Sequence, residues 1–149
     1  MKTYKNHLIL LLAVLFIASC SNKQVKPSAD AISGDDLSTV FYFEYDSSEI
    51  QSDAYDDLDA NAEYIIQKTE ENDDFLAIIE GHTDERGTID YNFALGNRRA
   101  ESIARYLRVK GIPTDRLRVE SFGEEKPINS GSGESAWSEN RRGEIVYPQ

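Results

Sequence analysis

The sequence predicts an α/β (α+β) two-layer sandwich with the element order β-α-β-α-β-β, on three observations. Short stretches of strand character lie at 39–45, 75–79, 117–120 and 143–147. Two longer stretches, 52–68 and about 91–110, carry apolar residues at helical spacing and separate the first three strands. The 149-residue chain has room for one modest core and no more, because its first 37 residues have no core-forming pattern. Strands separated by helices favour parallel pairing with right-handed crossovers, and helices packed on one face of the sheet make two layers.

Residues 1–19 read as an export signal. Met1, Lys2 and Lys5 form a charged start, and residues 8–18 are an apolar run that ends at Ser19-Cys20. That run is too short to span a bilayer, where about 20 apolar residues are needed. Cys20 is the chain's only cysteine, so no intrachain disulfide can form even in an oxidising compartment. Ile17-Ala18-Ser19-Cys20 resembles the lipobox of bacterial lipoproteins, in which the cysteine is lipidated and becomes the new N-terminus. The bland alternative is an ordinary signal peptide that ends beside a cysteine. Several acyl chains at ~0.8 kcal/mol per buried CH₂ make such an anchor effectively permanent. Ser21 stands where lipoproteins kept in the inner membrane usually have Asp, so the resemblance implies the outer membrane. Residues 20–37 then read as the lipidated cysteine and a flexible tether, with almost no large apolar side chain. Sixteen such residues reach at most ~55 Å and average roughly 20–24 Å, which keeps the domain at 38–149 close beneath its membrane.

Within that domain, Thr39-Val40-Phe41-Tyr42-Phe43-Glu44-Tyr45 reads as a strand, and Asp46-Ser47-Ser48 breaks it. Ala54, Leu58, Ala62, Ile65 and Ile66 give the first helix one apolar stripe. Asp53, Asp56, Asp57 and Asp59 crowd its first turns, where the helix dipole favours negative charge. Phe75-Leu76-Ala77-Ile78-Ile79 is apolar without alternation, as expected of a central strand covered on both faces. The second helix should turn Phe93, Ala100, Ile103, Ala104 and Leu107 inward and end at Gly111-Ile112-Pro113. The last two strands come next, with a loop at 123–135 between them. Gly143 weakens the final one, which is expected to start late or bulge.

Charge narrows the partners. Without Lys2 and Lys5, the chain's 16 Lys+Arg fall to 14 against 27 Asp+Glu, a net charge of −13 from Cys20 onward. Nucleic acid and bare anionic lipid are therefore not expected partners. Acidic residues are dense from Asp53 to Asp74, whereas most arginines lie between Arg86 and Arg142, so an anion site belongs in the second half.

Glu80-Gly81-His82-Thr83-Asp84-Glu85-Arg86-Gly87-Thr88, followed by Tyr91-Asn92-Phe93-Ala94-Leu95-Gly96-Asn97-Arg98-Arg99-Ala100, resembles the signature of the OmpA C-terminal-like domain family. Phe43-Glu44-Tyr45-Asp46, Gly111-Ile112, Gly123-Glu124-Glu125-Lys126-Pro127 and Asn140-Arg141-Arg142 fall where that family has its other landmarks, so the resemblance covers the chain from about Thr39 to Tyr147. It implies an outer-membrane lipoprotein that binds peptidoglycan through the meso-diaminopimelate of the stem peptide, with Asp84 and Arg99 in the key positions. It adds Asp46, Leu95 and backbone groups around Phe43 and Thr83 as further contacts, and for lipoproteins of the Tol system it implies TolB as a second, competing partner. The chemistry agrees. The free end of diaminopimelate carries an ammonium and a carboxylate on one carbon, which calls for one anion beside one forked cation. Asn92, Leu95, Gly96 and Arg99 stand at i, i+3, i+4 and i+7 and share a helical stripe, while Asp84 comes just after a strand. Both charges are expected on solvent-facing positions, so Asp84→Asn and Arg99→Ala should lose binding without unfolding. Arg99 could instead form a salt bridge that orders the loop. Arg98 is expected in solvent, and Asn140, Arg141 and Arg142 fit either a structural or a rim role.

No cofactor is expected beyond the covalent lipid on Cys20. His82, Asp84 and Glu85 alone make a poor metal site, because the only other histidine, His7, belongs to the signal. Enzyme chemistry lacks its parts: Cys20 is consumed by lipid, no Gly-x-Ser-x-Gly elbow occurs, and the adjacent acids Asp84 and Glu85 have no opposed environments.

Overall fold

The computed structural model describes Gly34 and residues 37–147, so the expected signal, Cys20 and most of the tether lie outside the described residues. None of the described helices is long and apolar enough to cross a membrane. The elements run β1 (Val40–Tyr42), α1 (Tyr55–Glu71), β2 (Ala77–His82), α2 (Ile89–Val109), β3 (Leu117–Gly123), α3 (Glu134–Asn140) and β4 (Arg142–Val146), with 3-10 turns before α1 and β3. Among the described residues the strands form one sheet in the order β1-β4-β2-β3. β2 and β3 pair parallel, and β4 runs antiparallel to both β1 and β2. β1, β2 and β3 thus point the same way, as helix-separated strands should. The predicted two-layer α/β sandwich is the observed one.

Periodicity explains the core. Leu58, Ala62 and Ile65 of α1, and Ala100, Ile103, Ala104 and Leu107 of α2, are buried against Phe41, Ala77, Ile79 and Ile145 of the sheet. Each Leu or Ile so buried contributes about 1.5–3 kcal/mol relative to exposure. α2 ends as expected: Gly111 takes φ +105°, its N–H donates to Arg108 O and the Ile112 N–H to Leu107 O, the paired bonds of a glycine C-cap.

Four expectations need correction. Phe93 is 57 % exposed, because the stripe that meets the sheet is Asn92, Leu95, Gly96, Arg99 and Ile103, and Phe93 lies about 100° around the helix from Asn92. β2 is not covered on both faces: Ala77 and Ile79 are buried while Ile78 and Glu80 are only half-buried. The sequence run looked unalternated because the half-buried Ile78, between buried Ala77 and Ile79, is itself apolar. The loop expected over 123–135 gives way to α3 at Glu134, which the sequence hid because only Ala136 and Asn140 of its residues are buried. β4 neither starts late nor bulges at Gly143, whose register holds on both sides. A Cβ there would lie 2.5 Å from Ile103 Cδ1, so Ile103 of α2 packs over the space that the glycine leaves. The sheet's irregularity falls instead at Gly81/His82.

Another close approach sets the geometry of the site. Gly81 of β2 faces Gly96 of α2, and a Cβ on Gly81 would lie 1.9 Å from Gly96 O. The two backbones touch, which fixes the distance between the loop that leaves β2 and the helical turn just beyond Gly96.

Candidate functional site

Because β1 and β2 run the same way on either side of β4, their C-terminal ends open at the same edge of the sheet, where ligands of open α/β sheets bind. The loop after β1, the loop after β2 and the first turns of α2 enclose a cavity of about 370 Å³. Asp46, Thr83, Asp84, Asn92, Leu95 and Arg99 all line it, so the sequence-derived residues come together. Phe43 lies apart: its ring is in the core beneath the Arg99 guanidinium, 5.4 Å away, and its N–H and C=O both pair with Arg141.

Arg99 is 0 % exposed, not on a solvent-facing stripe. Its Nε donates to Ser47 O at 2.8 Å, Nη1 to His82 O at 2.7 Å and Nη2 to Glu44 O at 3.1 Å, so two carbonyls of the loop after β1 and one at the end of β2 hold the fork. A guanidinium has five N–H donors, and the backbone takes only three. Among the described residues no carboxylate oxygen lies within 4.0 Å of it, so the expected alternative of a loop-ordering salt bridge is absent there. Burial lowers its pKa to about 10, against the upward pull of Asp84, and the group stays cationic at neutral pH. A buried cation without a paired anion costs several kcal/mol.

Asp84 is likewise only 4 % exposed, contrary to the expected solvent-facing loop. Arg86 grips it through both arms, Nε to Oδ1 at 3.0 Å and Nη2 to Oδ2 at 2.7 Å, and adds its backbone N–H at 3.0 Å. Burial pushes the Asp84 carboxyl up, but the Arg86 hydrogen bonds and the charges of Arg86 and Arg141 outweigh it and hold the group below the usual carboxylate range. Asp46 takes φ +54°, the sole positive φ outside glycine among the described residues, and accepts from the Tyr91 hydroxyl. Aspartate tolerates this region, and such strain gathers at binding sites. Thr88 Oγ1 caps α2 by accepting from Tyr91 N at 3.2 Å, and Asn92 Nδ2 reaches Asp84 O at 3.3 Å.

Sequence reasoning missed the second layer of this site. The Arg86 guanidinium lies between the rings of Tyr45 and Trp137, 4.1 Å from each centroid. Glu85 accepts from Trp137 Nε1 at 3.1 Å and from Ser132 Oγ at 3.0 Å, which ties α3 to the loop after β2. Arg141 and Arg142 prove buried and structural. The available signal was the chain's only tryptophan, set in a stretch of small and polar residues.

His82 does not group with Asp84 and Glu85. Its ligand atoms gather with those of Glu80 and Glu144, all within 4.8 Å of one another. Arg142 already pairs with Glu144, and Lys126 lies 3.9 Å from Glu80, so the two carboxylates are answered by two cations and the cluster is an ion-pair network. Burial first, then the charge of Arg142, lowers the His82 pKa to about 4. The unfolded chain therefore takes up this proton first, and stability falls as pH drops from about 6.5 to about 4, by about 3 kcal/mol in all. Urea unfolding at pH 7 and pH 4 checks this: His82→Gln should flatten that part of the profile, and equal slopes in both proteins would contradict it.

Comparison with known proteins adds relatives. A family model described as the OmpA family matches residues 42–141. The peptidoglycan-associated lipoprotein of Pseudomonas aeruginosa is 44% identical over 107 residues, 72% of this chain and 61% of that one, so this chain spans about three-fifths of that relative's length. The peptidoglycan-associated lipoprotein of Pasteurella multocida is 34% identical over 154 residues, 99% of this chain and 100% of that one. The crystal structure of the peptidoglycan-associated lipoprotein from Burkholderia pseudomallei superposes with a TM-score of 0.69 at 36% identity, covering 74% of this chain and 91% of that chain.

Proposed function

This chain belongs to the OmpA family, and we propose that it is a lipoprotein of the Gram-negative envelope that binds peptidoglycan non-covalently and catalyses nothing. The ligand group is the meso-diaminopimelate of the stem peptide, and the lipid on Cys20 joins the wall to the outer membrane. One observation carries this: a buried arginine with unused donors and no carboxylate partner shares a cavity with a buried aspartate. The free end of diaminopimelate offers a carboxylate for the unpaired Arg99 fork and an ammonium that Asp84 can accept in place of the Arg86 guanidinium. Names of the relatives support association with the wall.

Sedimentation with purified wall sacculi tests the assignment. Asp84→Asn keeps the shape and the acceptor oxygen but removes the charge, and it should weaken binding about tenfold or more, the worth of a hydrogen bond to a charged group. Undiminished sedimentation of a folded Asp84→Asn protein would move the ligand elsewhere. By family resemblance the protein also works in the Tol system through TolB, in envelope integrity and cell division. Pull-down of a TolB-like propeller protein from the same organism tests that part, since a wall-binding lipoprotein outside the Tol system recovers none.

A further inference from the structure

We propose that Arg86 is an internal stand-in for the ligand's ammonium, a specificity-determining residue that must exchange Asp84 for Glu134 before the wall peptide binds; this rests on the function proposed above. Both charged groups that should meet the ligand are shut away, with Asp84 4 % and Arg99 0 % exposed. The side chain that lies against Asp84 on the solvent side is Arg86, itself 29% exposed. Its guanidinium holds the carboxylate with the two-armed geometry that an arriving cation would have to replace.

The replacement has somewhere to send it. Asp84, Arg86, Glu134 and Arg141 form a closed ring of alternating charge. Two contacts in the ring are short, Arg86 Nη2 to Asp84 Oδ2 and Arg141 Nη2 to Glu134 Oε1, both 2.7 Å. The other two are long, Arg86 Nη1 to Glu134 Oε2 at 3.8 Å and Arg141 Nη1 to Asp84 Oδ2 at 3.7 Å. Arg141 Nη1, the atom facing Asp84, is buried and has no hydrogen-bond partner among the described residues. If the pairs swap, Arg86 goes to Glu134 and this orphan donor gains Asp84. The number of ion pairs is unchanged, and one unsatisfied buried group is removed.

The rings of Tyr45 and Trp137 hold the guanidinium plane on both faces, so Arg86 can slide along its slot without leaving it. With Arg86 on Glu134, Asp84 has lone pairs free for the ammonium. A ligand with only an ammonium must displace the guanidinium without help from Arg99. A ligand with only a carboxylate leaves Arg86 in place. The competitor therefore raises the threshold for a compound that brings the ammonium without the carboxylate, and diaminopimelate carries both.

Trp137 is the chain's only tryptophan, so its emission reports on the slot. The full chain, purified in detergent, is titrated with a stem peptide ending in meso-diaminopimelate and with its lysine analogue. Wild-type emission should change as the diaminopimelate peptide binds. Arg86→Gln should bind that peptide roughly two- to fivefold more tightly, the range of a partly exposed ion pair, gain at least as much for the lysine analogue, and lose the emission change. Glu134→Gln removes the alternative acceptor and should bind more weakly than wild type. Weaker binding by Arg86→Gln, or wild-type binding with Trp137 emission unmoved, overturns the exchange while leaving the wall function standing. Failure of the wild-type protein to bind overturns both.

Discussion

Arg99→Ala is expected to cost about 3–5 kcal/mol of folding stability as well as wall binding, although its position suggests a ligand contact only. The side chain is the largest of those fully buried among the described residues, and removing it strips donors from the carbonyls of Glu44, Ser47 and His82 at once. Each orphaned acceptor costs about 1–3 kcal/mol where water cannot reach it. Those carbonyls belong to the loop after β1 and the end of β2, so the cavity's two walls lose their common tie. Arg99→Lys separates the roles: it keeps the charge and should recover part of the stability, but one ammonium cannot serve several carbonyls and a carboxylate together. Urea unfolding measures the first effect and sacculus sedimentation the second. An Arg99→Ala protein as stable as wild type would show that the three backbone bonds are incidental.

Gly81→Ala should be comparably severe at a position with no side chain. Its Cβ would sit 1.9 Å from Gly96 O and 2.6 Å from Gly96 C, and backbone atoms cannot turn aside as a side chain can. α2 must lift from β2, at about 3 kcal/mol or more. Gly96→Ala meets Ser121 Oγ at 2.5 Å and Gly81 O at 2.8 Å, and Ser121 is already committed to Phe93 O. The lift also separates Asp84, three residues beyond Gly81, from Arg99, three beyond Gly96. Wall binding should therefore fall in Gly81→Ala by more than thermal unfolding at the assay temperature explains. Unchanged stability in both variants would mean the helix is not seated by this contact.

The main layers were legible because period carries them. Ala100, Ile103, Ala104 and Leu107 announce a helical face, and Ile79 and Ile145 announce strands whose inner side that face covers. Asp84 and Arg99 were legible as a pair, since one comes just after a strand and the other lies on the stripe of the next helix. Their burial was not. Sequence marks charged residues as solvent-facing by default, and here a cage of carbonyls, invisible in side-chain identity, makes an interior arginine tolerable. Gly143 misled for the same reason in reverse: glycine reads as weakness in a strand, whereas here Ile103 packs over the space that it leaves. α3 and its Trp137 escaped because seven residues with two buried positions leave no period, and the role of Arg86 depends on rings contributed from distant parts of the chain.

The central claim is that Asp84 and Arg99 together read the ammonium and carboxylate on one carbon of diaminopimelate. Calorimetric titration of the protein with a meso-diaminopimelate stem peptide, beside the lysine analogue that keeps the ammonium but lacks the second carboxylate, tests it most directly. Saturable heat with the first and none with the second is the predicted result, and equal affinity for the two peptides, or heat with neither, would contradict it.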